Sequence, residues 1–155
     1  MSGEAALDGR RFEDVRVGEE LPVVDYPLTV YRLVMAAGAN RDFNSIHHNT
    51  EYARKTGAPE MYANTQFLLT AWERCVRDWT GPAGAIRAIR GFRMRSFNTV
   101  GDTMRVRAEV KDARVEDGRG VVEITIRCEN AAGVSVGPGT VVVVLPRRER
   151  EGERS

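Results

Sequence analysis

"LLTAWERCVRDWTGP", residues 68–82, is the stretch from which the fold can be read. Leu68, Trp72, Cys75, Val76 and Trp79 stand at offsets of 0, 4, 7, 8 and 11, which lays one apolar stripe along an α-helix. Thr80, Gly81 and Pro82 end it. Glu73 and Arg77 form an i,i+4 pair on the opposite side, as an exposed face requires. A helix with one such stripe needs a flat apolar partner.

The residues downstream supply that partner. Met104, Val106, Ala108 and Val110 alternate with Arg105, Arg107, Glu109 and Lys111, the period of a half-buried strand. After the turn "EDGRG" the alternation resumes as Val122, Ile124, Ile126 and Cys128 against Glu123, Thr125, Arg127 and Glu129, which predicts an antiparallel hairpin. "AAG" at 131–133 turns the chain again, and "TVVVVLP" is apolar on both faces, as a central strand is. "AIRAIRGFRMRSF", 85–97, reads as a further long strand before the turn "NTVGD".

Upstream the pattern is weaker. "FEDVRVGEELP" offers one short strand, and "LTVYRLVMAAGAN" reads as a strand end running into a short helix that stops near Gly38. A second short helix is predicted over Thr50–Lys55, with Asn49 as its cap, Glu51 in its first turn and Gly57 just past its end. Residues 41–49 are then a loop between two helices. One long helix, a short strand before it and a four-strand antiparallel meander after it make an α+β chain: a curved antiparallel sheet wrapped around a central helix, the hotdog arrangement. A single domain over residues 1–146 is expected, and the charged stretch "PRREREGERS" reads as a disordered tail from residue 147.

Composition excludes several classes of function. The 23 basic and 22 acidic residues leave a net charge of +1, so no overall field draws in nucleic acid or an anionic membrane. No apolar run is long enough to span a bilayer and residues 1–10 contain no secretion signal, so a cytoplasmic protein is expected. Cys75 and Cys128 fall on apolar positions of regular patterns and read as buried free thiols. Arg87, Arg90, Arg93 and Arg95 are interrupted by apolar residues and lack stacking aromatics, so they read as the solvated face of a sheet. A narrower reading has one or two of them meeting the phosphates of coenzyme A.

The loop "RDFNSIHHNT", 41–50, holds the chain's two histidines beside Asp42 and Asn44. Taken alone, Asp42 and Asn44 are common turn and capping residues. His47 and His48 with Asp42 invite a metal reading, but adjacent side chains in an extended segment diverge and seldom share an ion, so no metal is expected.

"DFNSIH", 42–47, resembles the D-x-N-P-I-H signature of the MaoC-like hydratases and dehydratases, the (R)-specific enoyl-CoA hydratase group. "EYARKTGAPEMYANTQF" stands where that family has A-x-x-x-G followed by I-A-H-G, and "GFRMRSFNTVGDTMRV" is similar to its R-F…P-V…G-D strand and turn. The likeness runs from about residue 12 to 146. The family's S-G-D is "NRD" here, its motif proline is Ser45, and its H-G pair is Asn64 and Thr65.

The resemblance implies a hotdog hydratase or dehydratase acting on a trans-2-enoyl or (R)-3-hydroxyacyl thioester. Asp42 and His47 would be the acid/base pair gripping one water, and Asn44 would orient the imidazole or the substrate. The Thr65 backbone N–H would hold the thioester oxygen as charge develops on it. Tyr62, Asn64 and Phe67 would contact the substrate. Coenzyme A, or an acyl carrier protein in its place, would enter as part of the substrate, with no other cofactor. Two units would join edge to edge, as a homodimer or with a second hotdog chain. A noncatalytic partner subunit and a hotdog thioesterase are the alternatives, and the acyl group itself is not legible.

Overall fold

In a computed structural model, residues 9–148 are described. Three helices and five strands form one layer of helix against one curved sheet. They run β1 (Val24–Pro27), α1 (Val30–Ala39), α2 (Thr50–Lys55), α3 (Thr65–Thr80), β2 (Ala85–Arg90), β3 (Thr103–Glu116), β4 (Arg119–Asn130) and β5 (Gly133–Leu145). All strand pairs are antiparallel, in the order β1-β3-β4-β5-β2.

The helix of the opening stretch is α3. Leu68, Ala71, Trp72, Cys75, Val76 and Trp79 are buried along it, and they meet Met104, Val106, Val110, Ile124, Ile126, Val141 and Val143 from the sheet. Gly81 (φ +68) ends the helix, its N–H bonded to the Arg77 carbonyl at 2.9 Å. Trp72 is fully buried, meets Phe92 edge-on at 5.1 Å and donates its indole N–H to the Cys128 sulfur at 3.2 Å. The sheet makes room for it with two glycines: a Cβ on Gly139 would come within 2.7 Å of the indole, and one on Gly137 within 2.9 Å. Both cysteines are free and buried, and burial pushes the Cys75 thiol up to about 11 and Cys128 up to about 12. They stay protonated and serve as packing groups.

The β3–β4 hairpin forms as its alternation predicts. Asp117 (φ 47) and Gly118 (φ 76) make its two-residue turn, since two left-handed residues match the strand twist. Register shifts between Val110 and Asp112 and between Ile126 and Cys128 mark where the sheet curls.

Three expectations are corrected. The strand foreseen over 85–97 stops at Arg90, because Gly91 turns with φ +68 against the backbone of Gly139; beyond it a single bridge, Met94 to Val136, remains. That strand does not continue a four-strand meander either: β2 crosses to pair with β5, and only β3, β4 and β5 are a meander. The short strand assigned to 12–22 is instead a 3-10 turn over Phe12–Asp14 and a lone bridge from Glu20 to Glu109, while β1 lies at Val24–Pro27. Of the stretch read as a tail, Arg147 and Arg148 are described: the Arg148 N–H donates to Glu13 at 3.0 Å and its guanidinium pairs with Asp14. The rest of the tail lies outside the described residues.

Candidate active site

The loop between α1 and α2 is built by local rules that place Asp42 and His47 face to face. The C-terminus of α1 closes with the Asp42 N–H on the Ala37 carbonyl (2.9 Å) and the Arg41 N–H on the Gly38 carbonyl (3.1 Å). This double closure puts Arg41 in the left-handed region at φ 55, where glycine is usual, and turns the chain so that Asp42 leaves the helix axis. Asn44 then caps a 3-10 turn over Ser45–His47, its side chain accepting from the Ile46 N–H at 3.2 Å. One such turn carries His47 back over Asp42.

His47 is 6 % exposed. Its Nδ1 lies 2.8 Å from the Tyr62 carbonyl oxygen and its Nε2 lies 3.1 Å from Asp42 Oδ2. A carbonyl only accepts, so Nδ1 carries a proton and donates it; a further proton must then lie between Nε2 and the carboxylate for that contact to be attractive. The Tyr62 ring stands edge-on to the imidazole at 5.3 Å, and burial together with the Asp42 charge pushes its phenol pKa up, which keeps it neutral. Asp42 is the open member of the pair, with 36 % of its side chain exposed.

Asn64 does more than the sequence reading assigned to it. It is 2 % exposed; its Oδ1 accepts from the Phe67 N–H (3.0 Å) as the N-cap of α3 and from Asn40 Nδ2 (3.4 Å), and its Nδ2 donates to Asp42 Oδ2 at 3.4 Å. One carboxamide thus ties the end of α1, the start of α3 and the carboxylate together. The signal for it was the N-cap position itself, one residue before a strongly periodic helix. Replacing Asn64 with Ala is expected to cost about 1 kcal/mol of stability and to slow the reaction; Asn64→Asp should restore the cap but not the rate, since a carboxylate cannot donate to Asp42. Thermal melts and steady-state kinetics on the two variants check this, and a fully active Asn64→Asp protein would contradict it.

The remaining site residues fall as follows. Thr65 is the first residue of α3 and is exposed; its N–H, like others of a first helical turn, has no acceptor within the helix. Tyr62 lines a cavity of about 250 Å³ together with Ala63, Leu68, Met94, Phe97 and Asn98 among others. Met94 is also the partner of the Thr65 hydroxyl, at 3.7 Å, so the cavity adjoins the start of α3. Phe67 does not line it: its ring packs edge-on against Tyr26 at 5.6 Å, as part of the core border. Asn44, exposed and engaged as a cap, reaches His47 through the turn and not through its ring. His48 lies on the outer side, exposed, with Nε2 3.4 Å from the Phe43 carbonyl oxygen. Of the arginines, Arg87 pairs with Glu116 at 2.9 Å and Arg95 donates to the Gly137 carbonyl. Sequence reasoning missed Asn40 and the lining residues 94–98, of which it places 94–97 in a strand and Asn98 in the turn after it.

Comparison with known proteins places the chain in a family. The chain is 32 % identical, over 117 residues, to the beta subunit of the 3-oxo-4,17-pregnadiene-20-carboxyl-CoA hydratase of Mycobacterium tuberculosis, spanning 76 % of this chain and 84 % of that one. The chain belongs to the MaoC-like hydratase and dehydratase family. Its structure superposes on one chain of the ChsH1-ChsH2 complex from the same organism with a TM-score of 0.75 at 28 % identity, covering 86 % of this chain and 99 % of that chain. The MaoC-like dehydratase from Rhodospirillum rubrum shares the hotdog fold, with a TM-score of 0.74 at 19 % identity over 92 % of this chain and all of the other. No family model matches. The relative is by name a hydratase subunit, and the neighbour from Rhodospirillum rubrum is by name a dehydratase.

Proposed function

We propose that this chain hydrates a trans-2-enoyl-CoA, or dehydrates the matching (R)-3-hydroxyacyl-CoA, with Asp42 and His47 as the acid/base pair. The contact between His47 Nε2 and Asp42 Oδ2 at 3.1 Å carries the reading. In the hydration direction the Asp42 carboxylate takes a proton from the attacking water as its oxygen bonds to the β-carbon. The Nε2–H of His47 gives a proton to the α-carbon as the enolate collapses. The proton on Asp42 then returns to His47 across the 3.1 Å contact, and the pair is restored with one water added. Throughout, the Tyr62 carbonyl holds Nδ1–H and so keeps Nε2 turned toward the reaction. Charge developing on the thioester oxygen is met by the Thr65 N–H at the positive end of α3.

The relative's substrate is a CoA thioester by name, which supports coenzyme A as the carrier, brought in as part of the substrate with no other cofactor. The same relative is one subunit of a hydratase, and this supports a working unit of two chains. Strand β2 forms one edge of the sheet, with its outer backbone groups unpaired by any described strand. Val30, Tyr31, Val34 and Met35 leave an apolar stripe of α1 exposed, a surface of the kind that protein contacts cover. The partner proposed is a second, related hotdog chain, with this chain contributing the acid/base pair.

Among the described residues no helix is long and apolar enough to cross a membrane, and the compartment proposed is the cytoplasm. Following the enoyl absorbance and free thiol together tests the reaction: absorbance falls without thiol release for a hydratase, and thiol appears for a thioesterase. Light scattering and assay of the chain alone and after co-expression with a second hotdog chain test the assembly. Full activity of a lone monomer would contradict the two-chain unit.

A further inference from the structure

The Asp42 carboxylate and the start of α3 are joined by a ring of three side chains. Asn40 closes the end of α1 with its N–H on the Ala36 carbonyl at 3.1 Å, and its Nδ2 donates to Asn64 Oδ1 at 3.4 Å. Asn64 Oδ1 also accepts from the Phe67 N–H at 3.0 Å, and Asn64 Nδ2 donates to Asp42 Oδ2 at 3.4 Å. The backbone from Asp42 back to Asn40 completes the ring. A carboxamide has one accepting end and one donating end, and two donors converge on the oxygen of Asn64, so its NH2 group must face Asp42. Turned over, the buried Asn64 would lose all three bonds and set its oxygen against the carboxylate.

The ring spans the two halves of the site. His47 is tied to the residues before α3 by contacts of its own turn: its Nδ1 lies on the Tyr62 carbonyl at 2.8 Å, and the Ile46 carbonyl accepts from the Tyr62 N–H at 3.3 Å. The Asp42 carboxylate has a different tie. Among the described residues its partners are His47 and Asn64, and Asn64 directly precedes Thr65 at the positive end of α3. Whatever holds Asn64 therefore also holds the carboxylate in register with the Thr65 N–H. Asn40 itself is exposed, and the bond to Asn64 is the one hydrogen bond of its side chain among the described residues, so the fold does not depend on that side chain.

We propose that Asn40 is a positioning residue for the reaction: acting through Asn64, it fixes the Asp42 carboxylate relative to the Thr65 N–H. The inference rests on the hydratase reading, so one readout is taken apart from turnover. On the full chain in its assembled form, Asn40→Leu is expected to lower kcat for hydration about threefold to tenfold, the contribution of one hydrogen bond, with KM within about twofold and the melting temperature unchanged. Asn40→Asp should lose more, about tenfold to a hundredfold, because a carboxylate there is satisfied only by an overturned Asn64. In the Asn64→Ala background Asn40→Leu should cost nothing further. Apart from turnover, hydrogen exchange at the Phe67 amide should quicken about threefold to tenfold in Asn40→Leu, while that of Val76, further along the same helix, stays as it was. Full kcat in the Asn40 variants would overturn the inference, as would unchanged exchange at Phe67 or a loss that recurs in the Asn64→Ala background; Asn40→Asp decides if Asn40→Leu fails to fold. Quickened exchange at Phe67 in a protein that hydrates no enoyl-CoA would keep the link through Asn64 and count against the hydratase reading alone.

Discussion

Asp42→Asn and His47→Gln are each expected to lower hydration by about 10²- to 10⁴-fold while leaving the fold intact. Each variant removes a proton carrier and keeps the volume and a hydrogen-bonding group. Asp42→Asn still accepts from Asn64 through its remaining oxygen, and it is partly exposed, so its stability should change little. His47→Gln fills most of the ring's space and can still donate to the Tyr62 carbonyl, the contact at 2.8 Å that anchors the turn. The two losses should not add, because both groups belong to one relay across a single 3.1 Å contact, and the double variant should be about as slow as either single one. Steady-state kinetics with melting curves on the three proteins measure this. Near-normal turnover in either single variant, with an unchanged melt, would remove the pair from the mechanism.

Thr65→Pro is expected to reduce hydration by about 10²- to 10³-fold, the usual cost of one lost oxyanion donor. The substitution deletes one N–H and disturbs little else. Thr65 is the first residue of α3, a position where proline is well tolerated. Asn64, the residue before it, already has φ −77 and ψ 158, the extended conformation that a following proline requires. Thr65→Gly keeps the N–H and should keep the activity, since the exposed hydroxyl touches only the Met94 sulfur. Circular dichroism and kinetics on both variants separate backbone from side chain. A folded, active proline variant would place the oxyanion elsewhere.

What could be read from the sequence follows from how local each determinant is. The stripe from Leu68 to Trp79 and the alternation on either side of "EDGRG" are local patterns, and α3 and the β3–β4 hairpin appear where they point. The end of β2 is not local: it depends on Gly91 meeting the backbone of Gly139, and so does the pairing of β2 with β5 across the sheet. β1 has four residues, one of them proline, too short to show a period. In the site, the five-residue spacing of Asp42 and His47 is a local signal, because one capped 3-10 turn brings them together. The carboxamides of Asn40, Asn64 and Asn98 act through partners distant in the chain, and a lone asparagine carries no pattern that names its partner.

The most direct measurement is the fate of the oxygen atom when the assembled enzyme turns over an enoyl-CoA in heavy-oxygen water. Hydration by the Asp42–His47 pair places the label in the β-hydroxyl, with the thioester intact, and His47→Gln should abolish the incorporation. Label found instead in a free carboxylate, together with released coenzyme A, would contradict the account and make the protein a thioesterase.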